Sequence, residues 1–173
     1  EEMVDAVEVY VSDVMKIANQ VGGLQSLYVE HQVDISTVHP NNAGTLDGGA
    51  HIVAQSTSRL YVWDFKFGWG IVNAFENWQL LDYAVGLLQE MLAKGQVCVD
   101  IEFRIVQPRP YHREGSCRNW VLPVAELHPY IERLRMSAQQ SQSENAPCVT
   151  GPHCGNCKAR HDCETLQRAA YRH

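Results

Sequence analysis

Three consecutive strand-like segments constrain this chain most. Leu24 to Ile35 alternates, with Leu27, Val29, His31, Val33 and Ile35 on one face and Tyr28, Glu30, Gln32 and Asp34 on the other. After the turn His39-Pro40-Asn41-Asn42, Gly44 to Gln55 reads as a second strand, and Ser58 to Phe67, rich in aromatic and β-branched residues and closed by Gly68-Trp69-Gly70, as a third. Period-two alternation broken by tight turns predicts neighbouring antiparallel strands.

Helical periodicity brackets that meander. Met3, Val7, Tyr10, Val11, Val14, Met15 and Ile17 predict a helix over residues 1–20, ended by Gly22-Gly23. A second helix is predicted from about Phe75 to Lys94, stopped by Gly95. Val97 to Val106 predicts a fourth strand. A further helix ends near Gln139, with Pro129 suited to its first turn, and a short one starts at Asp162 or Cys163. Helices alternating with one sheet predict an α/β fold with a mixed sheet flanked by helices. At 173 residues the chain suits one core. Residues 1–143 are expected to form it, with the Ser/Gln/Asn-rich stretch 137–145 linking to a cysteine-rich segment over 144–173.

No run approaches the ~18 apolar residues of a membrane span, and no signal-peptide pattern opens the chain. A soluble, intracellular protein is expected. The net charge of -6 does not suit a non-specific nucleic-acid coat, yet it leaves room for an enzyme with a local basic track and metal-neutralised carboxylates. There is no initiator Met and periodicity begins at once, so the chain reads as a fragment or processed product.

The chemistry concentrates in Gly44-Thr45-Leu46-Asp47-Gly48-Gly49 and Trp63-Asp64-Phe65-Lys66. Phosphodiester hydrolysis calls for a hard cation, and two carboxylates from neighbouring strands can hold Mg²⁺ while leaving water and phosphate positions open. Lys66 lies two residues from Asp64, so both point to one strand face, where the ammonium can orient water or offset phosphate charge. A plain solvated strand face is the alternative for that pair. Glu30 is a candidate supporting carboxylate or a solvated position.

Asp47, then Asp64-x-Lys66, resembles the signature of the PD-(D/E)XK nucleases, with Leu46 in place of the nominal proline. Gln79-Leu80-Leu81-Asp82-Tyr83 resembles the Q-x3-Y element of the RecB-type branch. The resemblance implies a restriction-endonuclease-like core and a DNA nuclease, by analogy an exonuclease of phage or prokaryotic recombination and repair. Asp47, Asp64 and the Phe65 carbonyl would bind Mg²⁺ or Mn²⁺, Lys66 would position water, and Gln79 and Tyr83 would contact DNA. The implied partners are single- or double-stranded DNA with free ends and a recombination or helicase component, in a prokaryotic or phage-infected cytoplasm.

Four of the six cysteines, Cys148, Cys154, Cys157 and Cys163, form C-x5-C-x2-C-x5-C. Without a secretory signal this reads as metal binding. The cluster resembles that of iron–sulfur RecB-type nucleases, implying a [4Fe–4S] cluster that clamps the C-terminus, with Zn²⁺ the rival. Cys98 reads as packing. Arg104, Arg109, Arg113 and Arg118, with Tyr111, His112 and Trp120 interleaved, offer a candidate single-strand track, with Arg109 and Arg113 as DNA contacts. Trp120 serves equally as core. The rival to an enzyme is a binding module that kept the fold.

Overall fold

The computed structural model describes residues 2–19, 23–54 and 57–170. Helix α1 (Glu2–Ala18) precedes an antiparallel meander of β1 (Leu24–Asp34), β2 (Ala43–Ala54) and β3 (Thr57–Phe65). Helix α2 (Trp78–Ala93) then crosses over to β4 (Asp100–Val106), which is followed by β5 (Cys117–Pro123). The sheet runs β1-β2-β3-β4-β5 and is mixed, because β3 is antiparallel to β2 and parallel to β4. A parallel neighbour requires a long crossover, which α2 supplies. This is the expected α/β fold with helices flanking a mixed sheet.

Two compact units divide the chain, Glu1–Arg135 and Met136–His173, and the boundary falls within α3 (His128–Ser141). The expected linker over 137–145 is therefore helical up to Ser141, with Pro129 in the first turn. In the second unit a 3₁₀ turn, Pro152–Asn156, precedes α4 (Glu164–Ala170). No helix among the described residues is long and apolar enough to cross a membrane.

The larger core lies between the sheet and α2, which buries Leu80, Leu81, Ala84, Leu87 and Met91 against Val33, Leu46, Leu60, Val62, Phe103 and Ile105. Burying each large apolar side chain contributes about 1.5–3 kcal/mol. Asn77 caps α2, its side chain accepting from the Leu80 N–H at 3.2 Å. A smaller cluster of Ile17, Ala50, Ile52, Trp63 and Val106 covers the other sheet face under α1.

Three sequence expectations need correction. Strand β5 was not anticipated. Its pairing with β4 puts Trp120 opposite Phe103, where the rings stack at 5.1 Å, so Trp120 belongs to the packing rather than to a DNA track. On α1 the inward stripe is Ala6, Asp13 and Ile17, while Met3, Val7, Val11 and Met15 are exposed. Asp13 turns inward because it meets the side chains of Arg104 and Trp63. On β1 the simple alternation fails at Glu30, whose φ of 46° breaks the strand's phase. Tyr28 is thus buried together with Val33, and its ring lies 5.0 Å from that of His31, whereas Leu27 and Val29 face outward.

Candidate functional site

The break at Glu30 is mirrored on β2. Register pairs Val29 with Gly48 and His31 with Leu46, so Glu30 falls opposite Asp47. On the other side of β2, pairing with β3 ends at Gly48 and Trp63, leaving Asp47 and Asp64 one position beyond the last rung. There the Asp47 side chain takes over from the ladder: its Oδ2 accepts the Phe65 N–H at 2.7 Å. Three carboxylate-bearing positions thus lie in a row across three strands.

Asp64 is 3% exposed, and its Oδ1 accepts from Lys66 Nζ at 3.0 Å. Its Oδ2 lies 2.9 Å from the same nitrogen, so the ammonium is ion-paired to both carboxylate oxygens, and no second donor reaches Oδ2. Burial and the neighbouring Asp47 charge raise the Asp64 carboxyl above its usual range, against the opposing pull of Lys66. Two carboxylates at neighbouring strand positions, one of them buried, are a donor pair that fits a hard divalent metal. Among the described residues no group of three or more His, Cys, Asp or Glu side chains is gathered to hold a metal. Glu30 is accordingly in the row by register, exposed, and not part of a gathered ligand set.

Lys66 is held at both ends of its reach. Besides Asp64, its Nζ donates to Gln79 Oε1 at 3.2 Å, and Gln79 Nε2 donates to the Tyr83 hydroxyl at 3.1 Å. Gln79 and Tyr83 are one turn apart on α2, which explains their common face. Tyr83 can approach because residue 44 is glycine: a Cβ there would sit 2.5 Å from Tyr83 Cε1. Asn42 also ties this turn of α2 to the end of β1–β2, donating to the Asp82 carboxylate at 3.0 and 2.9 Å. Asp64, Lys66, Gln79 and Tyr83 therefore form one hydrogen-bonded line from the sheet to the helix.

Sequence reasoning missed Tyr10. Its hydroxyl lies against Gly48, where a Cβ would come within 2.4 Å of the oxygen. Burial first, then the charges of Asp47, Glu30 and Asp64, push its ionisation well upward, so it is a neutral phenol beside the acidic row. Helical spacing shows Tyr10 as one of several apolar positions. The signal that could have found it is Gly48, a glycine beside a candidate carboxylate in a strand.

The arginines behave differently from the expected basic track. Arg104 is held by Asp13 at 2.8 and 2.7 Å and by Glu102, and Arg118 is buried against Val72, Gln107 and Gly115. Arg109 stacks on the Phe67 and Trp69 rings and pairs with Glu2 at 2.8 Å. Arg113 alone of these is fully outward, 3.6 Å from the Glu114 carboxylate. Cys98 is a half-buried thiol pushed up to about 11, chiefly by burial, as packing requires. Cys154 lies in the 3₁₀ turn, with Cys157 just after it and Cys163 just before α4. These thiols and Cys148 are not drawn together into a ligand set.

The sequence profile of a family described as "Protein of unknown function (DUF2800)" matches residues 1–172. The chain belongs to the DUF2800 family. The match spans both compact units of this DUF2800 chain, so the acidic row and the cysteine segment fall within one family region.

Proposed function

We propose that this DUF2800 chain is a Mg²⁺- or Mn²⁺-dependent DNA nuclease of the PD-(D/E)XK kind, with a restriction-endonuclease-like sheet. The observation that carries the reading is the line Asp64–Lys66–Gln79–Tyr83 beside Asp47. Two sequence motifs, one at the end of β3 and one on the helix that follows it, meet in one hydrogen-bonded unit, and a second carboxylate stands at the neighbouring strand position. Plain strand chemistry accounts for neither feature.

In this reading Asp47 and Asp64 would hold the metal, with the Phe65 carbonyl a further ligand. When bound, a divalent ion supplies charge that polarises the phosphate and lowers the pKa of a coordinated water. Lys66 holds the attacking water in line and offsets charge growing on the phosphate. Gln79 keeps the ammonium aimed, and the Tyr83 hydroxyl contacts the phosphate backbone. DNA with free ends is the proposed substrate, and a recombination or helicase component the proposed partner.

The cysteine segment enters only as a structural element. A [4Fe–4S] cluster or Zn²⁺ on Cys148, Cys154, Cys157 and Cys163 would have to draw together thiols that are apart, and no catalytic step is assigned to it. A brown protein absorbing near ~400 nm after anaerobic purification supports iron–sulfur ligation. A colourless protein with stoichiometric zinc supports the rival.

Asp64→Asn tests the enzyme. Wild-type protein should degrade DNA only with Mg²⁺ or Mn²⁺, and the variant should lose that cleavage while staying folded. Metal-dependent cleavage that survives in Asp64→Asn, or none in the wild type, sinks the nuclease reading. The second outcome leaves a binding module.

A further inference from the structure

The segment that leaves β3 after Lys66 presents a large aromatic ring to solvent under unusual restraint. Trp69 is 64% exposed, in a short stretch of chain flanked by Gly68 and Gly70. Exposed aromatic rings on glycine-flanked tips are ordinarily loose. This one is fixed from below by Gln107, which is fully buried. The Gln107 amide nitrogen donates to the carbonyls of Gly68 and Gly70, at 2.9 and 2.8 Å, on either side of the tryptophan. Its oxygen accepts from Arg118 at 2.6 Å and from the Val72 N–H at 3.1 Å, so the amide cannot turn.

The ring is also held from the side. The Arg109 guanidinium lies 4.5 Å from the Trp69 ring centre and 4.3 Å from that of Phe67. Glu2 and the Phe67 carbonyl take up the guanidinium hydrogens, at 2.8 and 3.3 Å. With its charge paired, Arg109 acts as a spacer that fixes the indole rather than as a grip for phosphate. What the tip offers a ligand is a flat, apolar, preorganised ring.

Position decides what that ring can take. Two residues, Phe67 and Gly68, separate Trp69 from Lys66, so their Cα atoms lie at most about 11 Å apart. A polymer whose phosphate lay at the acidic row would therefore pass within a few nucleotides of this tip. In duplex DNA the base faces are covered by their neighbours, whereas an unpaired base has a free face to stack.

We propose that Trp69 is a stacking platform for an unpaired nucleobase, so that this DUF2800 chain takes single-stranded DNA across its carboxylate site. The inference rests on the nuclease reading for the path of the strand, but its test does not depend on cleavage. Gln107 and Arg109 are positioning residues that hold the platform at no ordering cost on binding.

Fluorescence anisotropy in EDTA, with labelled oligothymidylate of about 16 nucleotides and a blunt duplex of equal length, measures the contact directly. Wild type should bind the single strand more tightly than the duplex. Trp69→Ala should weaken single-strand binding by about tenfold and leave duplex binding unchanged, while Trp69→Phe keeps most of the affinity. The ring is exposed, so both variants should fold, and Trp69→Phe checks that a planar ring is what matters. Equal single-strand binding by wild type and Trp69→Ala overturns the proposal. So does a wild-type preference for duplex, an absence of single-strand binding, or a Trp69→Phe as weak as Trp69→Ala. Cleavage is read separately in Mg²⁺: a wild type that binds the single strand through Trp69 but does not cut it loses the nuclease reading and keeps the platform, so the two failures give different results.

Discussion

Replacing Asp13 by alanine should be among the most damaging changes on α1, although Asp13 lies outside the proposed chemistry. Its carboxylate accepts three hydrogen bonds: from Arg104 Nε and Nη2 at 2.8 and 2.7 Å, and from Trp63 Nε1 at 2.8 Å. Trp63 is fully buried and Arg104 nearly so. Asp13→Ala leaves the indole N–H without an acceptor, a loss of about 1–3 kcal/mol. It also breaks a buried ion pair, for which about 3–5 kcal/mol is typical. Arg104 keeps Glu102 as a partner, and the two losses overlap, so about 3 kcal/mol is expected in all. For a chain of this size that lowers the thermal midpoint by roughly 6–12 °C. Asp13→Asn retains size and one acceptor and should cost about half as much. Burial works against the Asp13 charge, but hydrogen bonds from Arg104 and Trp63 and the guanidinium's attraction hold the carboxyl below its usual range. A depressed folded-state value means that this contribution is fully present above the unfolded value of about 3.9, and gone once pH has fallen through the lower folded value. Near-UV circular dichroism melts of the three proteins, repeated down the acid range, read both effects. A loss under about 1 kcal/mol for Asp13→Ala, or an Asp13→Asn as costly as the alanine, would refute the reasoning.

Asp64 has the opposite sign, because burial raises its carboxyl in the folded state. The stability linked to that raised value is present below the unfolded value of about 3.9 and is lost as pH rises through the folded one. Asp64→Asn should therefore melt above wild type at neutral pH, with the gap closing in acid, even as cleavage disappears. Gly48→Ala places a methyl 2.4 Å from the Tyr10 hydroxyl and must push it away. If that phenol belongs to the proposed site, cleavage should fall by about tenfold or more with little change in melting, as for loss of one positioned donor. Gly86→Ala should destabilise although alanine favours helix by about 1 kcal/mol, because its Cβ meets Val33 Cβ at 2.9 Å and the Asp34 carbonyl at 3.0 Å. Overpacking of about 1–3 kcal/mol exceeds the propensity gain, and urea titration gives the sign.

The meander, the α2 crossover and the Asp47–Asp64–Lys66 grouping were legible because each is local and periodic, or set at fixed spacing. Gln79 and Tyr83 were legible as a motif, and the structure supplies their bond to Lys66. The rest depended on long-range partners. Asp13 turns inward only because Arg104, distant in sequence, needs it. Tyr28 is buried only because Glu30 takes a positive φ, which alternation cannot register. Strand β5 was hidden because its residues Cys117, Arg118 and Asn119 carry little β signal, and its stabilisation comes from pairing with β4 and from the stack on Phe103. Arg104, Arg109 and Arg118, which looked like a basic track, are spoken for by carboxylates and carbonyls that no local pattern reveals.

The parallel pairing of β3 with β4 sends both strands out of the sheet at the same rim. Two connections therefore start side by side there, residues 66–77 after β3 and 107–116 after β4. Chain can be lengthened or shortened in either one without moving a rung of the ladder below. Relatives of this chain can thus diversify by loop exchange along that rim while Asp47 and Asp64 stay where the strands put them.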